Sequence, residues 1–341
     1  MRTIRRIFFA AAIISGIFCA SCRTDGGNGN SGSTEISLVT WNLQTFFDGE
    51  FDGGEYEKFT GRPWGTQAYT VRLKRLCGVM ETLDADVFAF QEVENERILY
   101  DISNILAGKS WEKDRNWRFS CFAKSDGGAT GCAVMSKLPL ASVKTHSFRL
   151  AAESPSQPSV RPVMQLELTK DGRKLYLLVN HWKSKSGGAA KTEIWRNMQE
   201  GVAAKAISAI SRRHAEAGDG IPAVILCGDF NRDAREFTLD FSIPGTNTVL
   251  SQKIFGSEGQ VRVFSPWFNA DGSITGTGSY FYRKKWEYID NIFSYGSAEI
   301  AEFRAEARSP WANEDNTPAA YRVYNGKGYS DHLPLYCRVK F

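Results

Sequence analysis

Six short polar clusters punctuate the 341-residue chain, each beside a run of apolar residues. They are Trp41-Asn42-Leu43-Gln44, Gln91-Glu92-Val93-Glu94, Val179-Asn180-His181-Trp182-Lys183-Ser184, Gly228-Asp229-Phe230-Asn231, Tyr288-Ile289-Asp290-Asn291 and Ser330-Asp331-His332. Together they supply carboxylates, amides and two histidines. Hard oxygen ligands with few nitrogens suit magnesium or manganese, with calcium also admissible, rather than zinc. A divalent ion neutralises phosphate and leaving oxygens, while His and Asp move protons. This is equipment for hydrolysing a phosphoester with an activated water. The sequence has no Walker-type Gly-rich loop, which argues against nucleoside triphosphate hydrolysis of that kind. It has no paired CxxC with zinc-finger spacing either.

The segments next to these clusters read as buried strands, whose rigid backbone can aim side chains into a cleft. Strands are expected at 36–41, 86–91, 117–123, 131–136, 163–168, 175–180, 221–227, 288–293 and 335–339. Helices are expected at 69–83, where apolar residues recur at helical spacing, and at 97–106. A third helix is expected over 193–217, capped by Thr192, with Arg212, Arg213 and His214 in its last turn and Gly218 after it. Strands outnumber helices and several are joined as hairpins. This argues against a doubly wound parallel sheet and favours two mixed sheets packed together with helices outside.

Hydrophobic residues make up 42% and charged residues 23%, the balance of a globular protein. This excludes a disordered chain, a collagen-like repeat and a polytopic membrane protein. Arg2, Arg5 and Arg6 precede a short apolar run from Ile7 to Cys19, the pattern of a secretory signal over residues 1–21. Ala20-Ser21-Cys22 resembles a bacterial lipobox, with Cys19 where Leu is usual, so a membrane anchor through lipid on Cys22 is expected. Ordinary cleavage nearby, giving a secreted protein, is the alternative. Residues 22–35 are rich in Gly, Asn and Ser and read as a flexible tether. Residues 36–341 read as one catalytic domain of an extracytoplasmic protein, monomeric and with no protein partner. Removing residues 1–21 takes away three arginines and no acid, so the net charge falls from +4 to +1. Cys77, Cys121, Cys132, Cys227 and Cys337 remain beyond Cys22. Cys121 and Cys132 flank a turn and are candidates to cross-link a hairpin, whereas Cys227 reads as a buried thiol.

The six clusters, in this order, resemble the endonuclease/exonuclease/phosphatase superfamily, which includes deoxyribonucleases, abasic-site endonucleases, sphingomyelinases and inositol polyphosphate 5-phosphatases. The resemblance covers roughly residues 36–341. It implies a four-layer α/β/β/α sandwich, two mixed β-sheets flanked by helices. It also implies roles. Glu92 matches the main metal-binding Glu, with Asn42 beside it and Asp331 metal-proximal. Asp229 matches the Asp that orients or deprotonates the attacking water, and Asn231 a neighbour that contacts phosphate. His332 matches the essential His, with Asp290 fixing its tautomer. His181 matches a second His. No acid stands in the 127–131 stretch, where deoxyribonuclease places its partner, so a phosphate-donor role fits His181 better than an acid role. Arg161 resembles a phosphate-contacting Arg.

The context of two clusters is similar to secreted bacterial nucleases of this superfamily. Lys183 and Lys185, with Arg196 on the next helix, are expected to meet substrate, as are Arg283, Lys284 and Lys285. Tyr280, Tyr282 and Trp286 can stack on bases, or else serve as core. The leading expectation is a metal-dependent nuclease acting on DNA or RNA. A phosphatase or sphingomyelinase-type phosphodiesterase on the same site is the first alternative, and a non-catalytic surface-binding protein the second. His146 and His214 match no cluster and are expected at the surface.

Overall fold

Alternation of side chains with period two decides which way each strand faces. In β1 (Glu35–Phe46), Ile36 and Leu38 enter one buried cluster and Val39 and Trp41 another. The computed structural model describes residues 33–60, 64–108, 116–149, 157–252 and 259–341. The expected signal and Cys22, with all of the expected tether before residue 33, lie outside the described residues.

After β1 come α1 (Thr66–Leu83), β2 (Val87–Val93), α2 (Glu96–Ala107), β3 (Phe119–Ala123), β4 (Gly131–Ser136), β5 (Leu140–His146), β6 (Val163–Lys170) and β7 (Arg173–His181). The long helix α3 (Ala189–Ala217) leads to β8 (Ala223–Asp229) and to three short strands, β9 (Thr238–Leu239), β10 (Thr248–Ser251) and β11 (Gln260–Val263). A hairpin of β12 (Tyr280–Tyr282) and β13 (Lys285–Glu287) precedes β14 (Asp290–Gly296), β15 (Glu299–Ala305) and β16 (Leu335–Lys340).

One sheet has the order β15-β16-β1-β2-β4-β3, the other β14-β8-β7-β6-β5. Both are mixed, since β1 runs parallel to β2 and β7 parallel to β8 while the other neighbours are antiparallel. Leu38, Ala89 and Val134 of the first sheet meet Leu166, Leu177 and Ile225 of the second. On the other face of the first sheet, Val39, Phe88, Phe90 and Met135 pack with Leu73, Leu76 and Met80 of α1 and Ile98 and Ile102 of α2. On the far face of the second sheet, Tyr176, Leu178 and Leu226 pack with Trp195, Ala203, Ile207 and Ile210 of α3. The chain is thus a four-layer α/β/β/α sandwich, as expected. Each fully buried aliphatic side chain in these layers contributes roughly 1.5–3 kcal/mol.

Three expectations need correction. Helix α3 starts at Ala189, after Gly188, and Thr192 does not cap it. Its hydroxyl donates backwards to the Gly188 and Ala189 carbonyls (3.0 and 3.2 Å), which places it inside the first turn. The C-terminal end is as read: Gly218 follows in the left-handed conformation, φ 73°. Cys121 and Cys132 do sit on a hairpin, but Cys121 faces Val134 and Cys132 faces Ala123. The two thiols are diagonal neighbours, a spacing too long for a disulfide, and both are free. His146 and His214 are half-buried, bonded to Gln165 (2.8 Å) and the Tyr176 hydroxyl (3.0 Å). Cys227 is a buried free thiol.

Candidate active site

The register of the sheets lines up the polar clusters at one edge. In the second sheet His181 pairs with Asp229 and Asp229 with Asp290, so three ionisable residues stand in a row across β7, β8 and β14. This close packing requires Gly228, whose φ is 132° and whose added Cβ would lie 2.0 Å from the Asn180 carbonyl oxygen. In the first sheet, Asn42 of β1 pairs with Gln91 of β2, which puts it next to Glu92, and Asp331 and His332 precede β16. These residues meet at the floor of a cleft of about 1470 Å³, lined among others by Glu92, Arg161, His181, Lys183, Asp229, Asn231, Asp331 and His332.

His332 Nδ1 bonds Asp290 Oδ2 at 2.8 Å, and the Ser279 hydroxyl donates to the same oxygen at 2.6 Å. Burial disfavours a charged ring, but Asp290, Asp331 and Asp229 outweigh it and hold the His332 pKa at about 10. The ring is therefore an imidazolium at neutral pH, with Nε2 on the side of Asp331, 3.9 Å away. Burial and the neighbouring Asp290 push the Asp229 carboxyl up, and burial does the same for Asp331. Burial and the cations of Arg161, His332 and Lys183 push His181 well below 6.5, so its ring is neutral. His181 Nε2 lies 3.5 Å from Asp229 Oδ2 and 3.8 Å from Glu92 Oε1, while its buried Nδ1 has no partner among the described residues. The two acids beside Nε2 come from β2 and β8, not from the acid-free 127–131 stretch.

Asn42 is set between two carboxylates. Its Nδ2 donates to Asp229 Oδ2 (2.9 Å) and Glu92 Oε1 (3.3 Å), and its Oδ1 accepts the Gln44 amide (2.9 Å). It therefore ties two carboxylates together, and one lone pair of Oδ1 stays open beside them. Among the described residues no Lys or Arg pairs with Glu92, Asp229 or Asp331. The carboxyls of Asp229 and Asp331 stay raised although the His332 cation draws both down, and this remaining negative charge fits a divalent ion, with Glu92 and Asp331 offering oxygens. Asp229, Asp290 and His332 also bring donor atoms within 4.8 Å of one another. There, however, Asp290 is committed to a cationic ring, so this trio suits proton chemistry better than metal binding.

One wall of the cleft is basic. The buried Gln199 of α3 accepts the Lys183 amide at 2.7 Å and donates to the Arg161 carbonyl at 3.2 Å, fixing both segments at the cleft. Arg161, Lys183 and Lys185 all line it, and Lys185 also pairs with Glu236 at 3.1 Å. Arg196, expected to touch substrate, does not reach the cleft. It is 0% exposed, and its guanidinium bonds the carbonyls of Lys183 and Ala189, Thr192 and Glu193. Its place on the buried face of α3 turns it toward the loop rather than solvent.

Trp286 also points away. In the β12–β13 hairpin, Phe281 opposes Trp286, their rings 5.1 Å apart, on the side packed toward the core of α1 and α2. Tyr280 and Tyr282 take the opposite face by alternation and line the cleft. Tyr280 packs on the His332 ring at 4.6 Å, and Tyr282 stacks on Tyr280 at 6.1 Å and 17°. Arg283 and Lys284 form the left-handed turn of the hairpin, with Arg283 over Tyr282 at 5.1 Å, and the cleft lining does not include Arg283, Lys284 or Lys285. Sequence reading missed Ser279, although its position beside Gly278 just ahead of the aromatic run marked a tight approach. It also missed Tyr56 and Lys58, which line the cleft from the loop after β1 and carry no spacing signal.

The profile of the Endonuclease/Exonuclease/phosphatase family matches residues 37–308. The chain belongs to this family. Its fold is that of the family's phosphoric ester hydrolases. Solved structures agree on the fold at low identity. Truncated TDP2 from Caenorhabditis elegans superposes with a TM-score of 0.54 at 18% identity, covering 89% of this chain and 97% of that one. ANGEL2, a 2',3'-cyclic phosphatase, gives 0.57 at 17% identity over 90% and 95%. The human Nocturnin catalytic domain with bound sulfate gives 0.51 at 16% over 89% and 94%. No curated protein sequence matches the chain.

Proposed function

We propose that this family member is an exported phosphodiesterase that hydrolyses DNA or RNA with the help of magnesium or manganese. It would be tethered by a lipid on Cys22. The observation that carries this reading is the pairing of two surfaces in one cleft. The His332–Asp290 pair, Asp229 and Glu92 share its floor. A basic wall of Arg161, Lys183 and Lys185 and an aromatic step of Tyr280 and Tyr282 rise from it. Phosphates follow cations and bases stack on rings, a combination suited to a single-stranded or locally opened polynucleotide.

Glu92 and Asp331 would hold a divalent cation, which when bound would neutralise charge on the phosphate oxygens. Asp229, with Oδ1 held by the Asn231 amide (2.8 Å) and Oδ2 by Asn42, is aimed to take the proton of the attacking water. The water oxygen bonds to phosphorus, the ester P–O bond breaks, and the leaving oxygen takes a proton from solvent in the open cleft. The His332 imidazolium stabilises the charge that grows on the phosphoryl oxygens. The neutral His181 ring donates one hydrogen bond to the same group. Plasmid DNA, single-stranded RNA and a nucleoside 2',3'-cyclic phosphate, each incubated with magnesium, manganese or calcium, test the reading. Cleavage of a polynucleotide is expected, and failure on every nucleic acid with every ion sinks it. Release of phosphate or phosphocholine from non-nucleotide esters instead would reassign the substrate.

A further inference from the structure

Arg72 occupies a position on α1 that should hold an apolar residue. Its neighbours Leu73, Leu76, Val79 and Met80 face the core, and Arg72 itself is only 2% exposed. Among the described residues no carboxylate pairs with it. Its guanidinium gathers three consecutive backbone carbonyls, Leu43 (2.6 Å), Gln44 (2.7 Å) and Thr45 (2.9 Å). The rings of Tyr321 (3.8 Å) and Phe46 (4.6 Å) lie against it. Burial draws its pKa down to about 9, against the pull of Tyr321, Glu92 and Asp331, so it remains a cation at neutral pH.

The carbonyls belong to an unusual turn. Gln44 and Thr45 are both left-handed, with φ of 52° and 53°, a conformation that non-glycine residues adopt rarely. Three carbonyls turned to one side force the amides to the other. The Gln44 amide meets Asn42 Oδ1 at 2.9 Å, and the Thr45 amide meets Glu92 Oε2 at 2.5 Å. Glu92 is itself left-handed, φ 63°, and depends on such support.

We propose that Arg72 is a positioning residue for the carboxylate site. It clamps residues 43–45 in the left-handed turn that delivers the Thr45 amide to Glu92, and so sets the affinity of the cleft for a divalent cation. This rests on the reading that Glu92 helps hold such a cation. Arg72→Lys keeps the charge but cannot reach three carbonyls at once.

The test is titration of the intact protein with Mn²⁺ by calorimetry, alongside circular dichroism and steady-state kinetics. Arg72→Lys is expected to fold, to bind Mn²⁺ roughly tenfold more weakly, as losses of supporting contacts commonly do, and to lose kcat more than KM. Adding Thr45→Gly to Arg72→Lys is expected to recover part of the Mn²⁺ affinity, because glycine takes the left-handed turn without a clamp. A folded Arg72→Lys with wild-type Mn²⁺ affinity overturns the proposal, as does a double variant that regains melting temperature but no affinity. Should Arg72→Lys not fold, Tyr321→Leu loosens the same guanidinium. Weaker Mn²⁺ binding supports the clamp and unchanged binding overturns it. Glu92→Gln is the control: if wild type and this variant bind Mn²⁺ alike, the cation reading fails rather than the clamp.

Discussion

Asp290 Oδ2 stands 2.8 Å from His332 Nδ1, although one residue opens β14 of the second sheet and the other lies in the loop that leads into the first. The contact joins the β14 end of the second sheet to the loop before β16 in the first. It fixes the ring tautomer and keeps the ring charged. Asp290→Asn retains shape and removes the charge. It is expected to lower kcat about 10²–10⁴-fold. It should also move the alkaline limb of the pH–rate profile well below pH 10, since burial then dominates the ring. A profile with an unmoved alkaline limb would contradict the assignment.

Chelation should abolish hydrolysis, and magnesium or manganese should restore it. A cation that binds only the folded state also stabilises it by mass action, so the melting temperature is expected to rise with added Mn²⁺. Glu92→Gln should blunt that rise. Scanning fluorimetry with and without chelator reads both effects.

His181 gives a stability signature. The folded ring stays neutral well below 6.5, while the unfolded ring takes a proton near that value. Its contribution is therefore present above pH 6.5 and is lost on acidification, at up to about 1.4 kcal/mol per pH unit. Urea unfolding at pH 7.5 and 5.0 should show a smaller drop for His181→Asn than for the wild type.

Tyr282 is 48% exposed at the outer end of the aromatic step. Stacking of a base is worth about 1–3 kcal/mol, so Tyr282→Ala is expected to raise KM for oligonucleotides about 5-fold or more. The loss should be much smaller with bis(p-nitrophenyl) phosphate. Equal losses on both substrates would remove the base-stacking role.

Arg196 supports the basic wall from within. Arg196→Met removes hydrogen bonds to buried carbonyls and should cost about 1.5–3 kcal/mol of stability, read by denaturant unfolding. Purified folded variant should keep kcat within a few-fold of the wild type, unlike a residue that touches substrate.

The order of the six clusters and the apolar runs beside them carried the family, the two mixed sheets and the residues that converge on the cleft floor. These features are local, and burial on both faces of each sheet makes them legible one strand at a time. Other outcomes depended on how distant segments pack. Whether Trp286 or Tyr280 meets the cleft turned on which face of the β12–β13 hairpin lies against the core. Arg196 read as a cation for substrate, and nothing in the sequence marked Arg72, yet each is buried where carbonyls from another segment converge. Asn42 became a tie between carboxylates because β2 and β8 bring Glu92 and Asp229 to its amide. Residue type states what a side chain can donate or accept. Only the tertiary structure decides which partner reaches it first, because that depends on contacts between residues far apart in the chain.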